Sequence, residues 1–74
     1  MTQRERILDY IRVHGSITPI DAFRDCGITK LATQVSNMIR DGIAIKKTYE
    51  KGKNRYGETV YYMRYSFPED EENG

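Results

Sequence analysis

Apolar residues recur at helical spacing through roughly the first forty positions and then switch to alternation, and this change of period sets the order of elements. Ile7, Leu8 and Ile11 share one helical face, with Arg4, Glu5, Asp9 and Arg12 largely on the other. The spacing predicts a first helix from about Gln3 to His14. Thr2 as N-cap and Glu5 at the third helical position make a capping box, and Gly15 supplies a left-handed stop. Ser16-Ile17 is too short for a strand of its own but suits one edge pairing with a later hairpin. Thr18-Pro19-Ile20-Asp21 reads as N-cap, proline at the first helical position and acid in the first turn, so a second helix opens there. Ala22 and Phe23 are expected to face inward. That helix must stop before Gly27, and Thr29 offers a new N-cap.

A third helix is predicted over about Lys30 to Asp41, ended by Gly42. Leu31, Ala32, Val35, Met38 and Ile39 gather on one side at 100° per residue. Thr33 and Asn37 lie almost opposite, with Lys30, Gln34, Arg40 and Asp41 beside them. After Gly42, Ile43–Tyr49 and Thr59–Phe67 are rich in β-branched and aromatic residues and read as two strands. Tyr61, Met63, Tyr65 and Phe67 share one face and are assigned to the core. Val60, Tyr62, Arg64 and Ser66 share the other. Glu50–Glu58, with two glycines and an asparagine, forms the hairpin tip, and Pro68 ends the last strand. The expected organisation is α+β, three helices followed by a hairpin over residues 1–67, with an acidic, flexible tail over 68–74.

Composition narrows the function. Seventy-four residues allow one domain, and a chain of this size buries only about 60% of its unfolded surface. No run approaches the roughly 18 apolar residues of a membrane span, and the N-terminus reads as lacking a signal peptide. A cytoplasmic protein without membrane contact is expected. Cys26 stands alone, so no internal disulfide is available, and with only His14 beside it no zinc site is expected. No Ser/His/Asp grouping, phosphate-binding glycine loop or metal spacing appears. The expectation is a chain that is not an enzyme and carries no cofactor.

Charge changes the picture more. The net value of +1 conceals an asymmetry, because four of the eleven acids sit in Glu69–Glu72. Residues 1–67 hold twelve basic against seven acidic side chains, a balance of +5. Lys46, Lys47, Lys51, Lys53 and Arg55 face a single acid, Glu50, within ten residues. A local basic patch points to a polyanion, although a lysine-rich solvated loop would show the same charge.

Three helices, the last two joined by a short turn, and then a hairpin are the order of a winged helix-turn-helix. A helix enters the major groove only if one side packs and the other offers donors and acceptors to base edges. The third helix has that division. Asn and Gln pair bidentately with adenine, Lys reaches guanine, and a Thr methyl touches thymine. The hairpin tip would bring Lys51, Lys53 and Arg55 to the backbone or minor groove of double-stranded DNA.

His14-Gly15-Ser16-Ile17-Thr18-Pro19, Gly27-Ile28-Thr29-Lys30-Leu31-Ala32 and Lys53-Asn54-Arg55-Tyr56-Gly57-Glu58, followed by the aromatic strand, resemble short winged helix-turn-helix proteins of bacteriophages and prophages. The resemblance covers nearly the whole chain apart from the acidic tail. It implies a winged-helix fold and a DNA-binding or regulatory role in a bacterial host cell. Thr29, Lys30, Thr33, Gln34 and Asn37 match the recognition helix, to which Arg40 is added by its place on the helix. Lys53, Asn54 and Arg55 match the wing, to which Lys46, Lys47 and Lys51 are added by their charge.

The leading reading is a sequence-specific double-stranded DNA binder, a phage-type transcriptional regulator. One helix and one wing contact few base pairs, so tight binding favours a homodimer on two half-sites. The rival is a protein-interaction module using the same fold with a protein partner, such as an inhibitor of a host defence nuclease. An RNA or architectural DNA binder is a third reading. Other residues have plain explanations. Cys26 packs as a small hydrophobe, His14 complements a helix dipole, Glu5, Asp9 and Arg12 form surface pairs, and Tyr61 and Tyr65 belong to the core while Tyr56 and Tyr62 are the exposed pair.

Overall fold

The first helix, α1, runs Gln3–His14 as the periodicity predicts. Thr2 Oγ1 accepts from the Glu5 amide and Glu5 Oε1 accepts from the Thr2 amide, completing the capping box. Gly15 ends the helix at φ 91°, donating its amide to the Ile11 carbonyl. These are features of the computed structural model, which describes residues 1–68. The acidic segment Glu69–Glu72, and with it most of the expected tail, lies outside the described residues.

A short α2, Pro19–Asp21, opens with a second capping box between Thr18 and Asp21. It passes directly into a π-helical turn, Ala22–Cys26, closed by Gly27 at φ 71°. Ala22 is fully buried, but Phe23 points outward and is 65% exposed, against the sequence expectation. The third helix, α3, spans Leu31–Arg40. Its N-cap position is Lys30 and no side chain caps it, so Thr29 does not serve as N-cap. Ile28 explains the delay. Its side chain is only 1% exposed, so the chain dips into the core there before it can begin to wind.

Strands β1, Lys46–Lys53, and β2, Thr59–Ser66, form an antiparallel hairpin pairing Lys46 with Ser66 and Lys53 with Thr59. Strand β1 therefore starts three residues later than alternation suggests. The Ile43 amide still bonds the Met38 carbonyl at the end of α3, and Ile43 and Ile45 pack against the core as part of the connection. The turn narrows to Asn54–Glu58. The Asn54 Oδ1 accepts from the amides of Tyr56 and Glu58, and Gly57 adopts φ 77°. As expected, Ile17 makes one edge pairing, exchanging two backbone bonds of 2.8 and 2.9 Å with Tyr65.

The core is one cluster containing Ile7 and Ile11 of α1, Ile17, Ala22, Ile28, Leu31, Val35 and Met38 of α3, and Tyr65 of β2. Each fully buried aliphatic side chain is worth about 1.5–3 kcal/mol. Four residues assigned to this core lie outside it. Ala32 is exposed, Ile39 is 38% exposed, and of the aromatic strand face only Met63 and Tyr65 reach the core, leaving Tyr61 and Phe67 outside. An eight-residue strand is roughly 26 Å long, so the hairpin runs past the edge of the helices. Tyr62, on the opposite face, is half-buried, while Tyr56 at the turn is exposed.

Candidate nucleic-acid interface

One side of α3 is committed to the core by Leu31, Val35 and Met38. A helix advances 100° per residue, so Thr33, Ser36, Asn37 and Arg40 fall on the far side. Thr33, Ser36 and Arg40 are exposed and Asn37 is half-buried. Thr29 and Lys30 are exposed just ahead of the helix. Ser36 was not among the residues singled out from the sequence. Its position three residues after Thr33 and four before Arg40 on the same wheel is the signal that identifies it.

The flanks of this face are tied to α1. Gln34 donates its amide nitrogen to Gln3 Oε1 at 2.8 Å, so part of its capacity is already used within the protein. Asp41 accepts from Arg4 Nη2 at 2.8 Å and lies 3.7 Å from Arg40 Nε. The bond from Arg4, reinforced by the charges of Arg4 and Arg40, holds the Asp41 carboxyl below its ordinary value. An acid at the end of α3 is thus balanced by two arginines.

That contact has a pH signature. A carboxyl whose folded-state pKa is depressed contributes stability that is full above its unfolded pKa and is lost as pH falls through the folded value. Thermal scans at falling pH, below about 4, should show a steeper loss of Tm for the wild type than for Asp41→Asn. Parallel curves would mean that the Arg4 contact adds nothing in solution.

The hairpin carries the basic residues. Lys46, Lys47, Lys51, Lys53 and Arg55 are all exposed. Lys47, Lys51 and Lys53 share one strand face, because side chains alternate along β1. Lys53 Nζ donates to the Gly57 carbonyl at 3.5 Å. Asn54 is occupied by the turn itself, its Oδ1 accepting from two amides and its Nδ2 donating to Glu58 Oε1. Glu50, the one acid in Lys46–Arg55, is bound by Arg64 Nε at 2.9 Å, while Arg64 Nη1 donates to Ser16 Oγ at 2.8 Å. This bridge neutralises Glu50 and ties both strands to the segment before Ile17.

A polar face on the last of three helices, joined by a short turn to the helix before it and followed by a basic hairpin, is now defined. The family described as winged helix-turn-helix domain matches residues 2–69. The chain belongs to this family. In winged-helix terms the β1–β2 hairpin is the wing, and the fold is one characteristic of DNA-binding proteins. No curated protein and no solved structure matches the chain.

Several other polar groups of this winged-helix domain bond within the fold. Tyr10 Oη donates to Asp25 Oδ2 at 2.8 Å, Arg24 bonds both Asp21 and Asp25, and Arg6 donates to the Cys26 carbonyl, fastening the π-helical turn to α1. Asp9 pairs with Arg12, whereas Glu5 is spent on the cap. His14 lies against the Tyr10 ring at 4.2 Å. Burial pushes the Cys26 thiol up, away from the thiolate that redox chemistry needs. Among the described residues no group of three or more His, Cys, Asp or Glu is placed to hold a metal, and no helix is long and apolar enough to cross a membrane.

Proposed function

We propose that the chain is a sequence-specific double-stranded DNA-binding protein that acts without catalysis as a transcriptional regulator of the phage or prophage type in the bacterial cytoplasm. Residues 1–67 form its binding unit. The observation that carries this reading is the division of α3, with Leu31, Val35 and Met38 buried and Thr33, Ser36, Asn37 and Arg40 on the outer side. That outer side meets base edges in the major groove, and the wing lysines and Arg55 meet phosphates or the minor groove. Lys30 and Thr29 lead the helix into the groove. A dimer on two half-sites supplies the affinity that one helix and one wing lack.

Selection of bound sequences from random duplex tests this reading directly, and enrichment of no sequence would overturn it. On the selected site, Asn37→Ala should cost about 1–3 kcal/mol, the usual value of a bidentate base contact. Gln34→Ala should cost less, because its amide nitrogen already serves Gln3. Both variants should bind random duplex nearly as well as the wild type, and equal losses on both DNAs would remove these residues from base readout.

A protein-interaction role, such as inhibition of a host nuclease, keeps one observation in its favour. Ile20 and Phe23, three residues apart in the second helical segment, are 70% and 65% exposed. If Ile20→Ser with Phe23→Ser abolishes activity in vivo while DNA binding is intact, this second reading takes precedence.

A further inference from the structure

The wing carries a pair of aromatic rings that duplex binding does not use. Tyr49 on β1 and Tyr61 on β2 are diagonal neighbours, since Tyr49 pairs with Met63 and Lys51 with Tyr61. Their rings stack at 5.7 Å between centroids and 9° between planes. They remain 68% and 60% exposed. The register places Lys47, Lys51 and Lys53 on the same strand face, and the other β2 residues on it are Thr59, Met63 and Tyr65. This face therefore holds two parallel rings and three cations and no acid. The acid of the wing strands, Glu50, sits on the opposite face, bound by Arg64.

We infer that this face of the wing is a binding platform for single-stranded DNA, with unpaired bases stacking on Tyr49 and Tyr61 and Lys47, Lys51 and Lys53 holding the phosphates between them. Two features select this occupant. Cations without acids on the same face match a polyanion. Flat rings with exposed faces match a partner that also offers flat rings, and in a duplex those faces are closed by base stacking, whereas in a single strand every base presents one. Spacing agrees as well, because Lys47 and Lys51 flank Tyr49 at two residues on each side. An apolar protein partner would be served badly by a surface with three lysines. The choice of DNA over RNA rests on the reading of α3 as a major-groove helix, because the RNA major groove is too narrow for one. A regulator built this way reads a duplex through α3, and Lys51 and Lys53 of the wing serve the phosphates of a duplex or of an opened strand, whereas Tyr49 and Tyr61 serve the opened strand alone.

Fluorescence anisotropy with labelled oligo-dT, beside the selected duplex, tests the inference. Tyr49→Leu with Tyr61→Leu keeps apolar bulk and removes the rings, and should weaken oligo-dT binding about tenfold or more, since stacking on an aromatic ring is worth about 1–3 kcal/mol per base. Duplex binding should be unchanged. Tyr49→Phe with Tyr61→Phe keeps the rings and should retain oligo-dT binding. An abasic oligonucleotide of equal length should bind the wild type about tenfold more weakly than oligo-dT. Three results would overturn the platform: oligo-dT left unbound by the wild type, equal binding of abasic strand and oligo-dT, or a leucine variant that loses only thermal stability. Tighter binding of oligo-rU would overturn the choice of DNA. A protein that binds oligo-dT through the tyrosines but selects no duplex sequence would overturn the reading of α3 and leave the platform standing.

Discussion

Ile11→Ala is expected to leave much of the chain unfolded at physiological temperature. Ile11 is 1% exposed, lies in the third turn of α1, and belongs to the single cluster that also contains Leu31, Val35 and Met38. Truncating a buried isoleucine to alanine costs about 2–5 kcal/mol, the lost transfer energy plus the cavity left behind. A domain of this size is held by only about 3–5 kcal/mol in all. The substitution therefore removes most of the margin. Urea titration followed by circular dichroism should show the midpoint collapse for Ile11→Ala. The Ile11→Val control should lose only about 0.5–1.5 kcal/mol. A loss below about 1 kcal/mol for the alanine variant, well under the range for a filled core site, would mean that α1 does not pack as described. Wing and α3-face variants should unfold near the wild-type midpoint, so that binding defects there can be read as loss of contact.

The largest effect on binding is expected from the wing. Lys51→Ala, Lys53→Ala and Arg55→Ala combined should weaken binding to every duplex by roughly 100-fold near physiological salt, and should flatten the dependence of log K on log salt by about 2.7. Both figures follow from about 0.9 released counterion per lost phosphate contact, taken over three contacts. Loss of sequence-independent affinity with preserved site preference separates these residues from Asn37, whose removal should do the reverse. Glu50 sharpens the comparison. It is already bound by Arg64, so Glu50→Gln should change the salt slope little while loosening the base of the wing. An unchanged slope in the triple variant would take the wing out of the interface.

Local rules that act over three or four residues were legible before any tertiary structure. The capping box at Thr2, the N-cap at Thr18, the left-handed Gly15 and Gly27, and the limits of α1 follow from side chains that bond their own backbone or glycines that alone tolerate positive φ. The outer face of α3 was legible for the same reason, since the helix period puts Thr33 and Asn37 opposite Leu31 and Val35 whatever the neighbours are. Ser36 lies on the same wheel between Thr33 and Arg40, and its short hydroxyl is a weaker signal of base contact than an amide or a guanidinium.

What the wheel and the alternation do not contain is distance from the rest of the molecule. Alternation put Tyr61, Met63, Tyr65 and Phe67 on one face, and within β2 Tyr61, Met63 and Tyr65 do share it. Yet only the reach of the helices decided that Tyr65 is buried and Tyr61 stands free against Tyr49. Likewise the second helical segment carries both Ala22 and Phe23, but only the packing of the turn against α1 sends one inward and the other out. The occupation of Gln34 by Gln3, of Asp41 by Arg4 and of Glu50 by Arg64 joins residues up to 37 positions apart. Sequence alone determined the order of elements and the polar side of α3, because those depend on backbone periods. The tertiary structure decided which polar groups are already satisfied and which rings remain open, because burial depends on what the chain brings back from elsewhere.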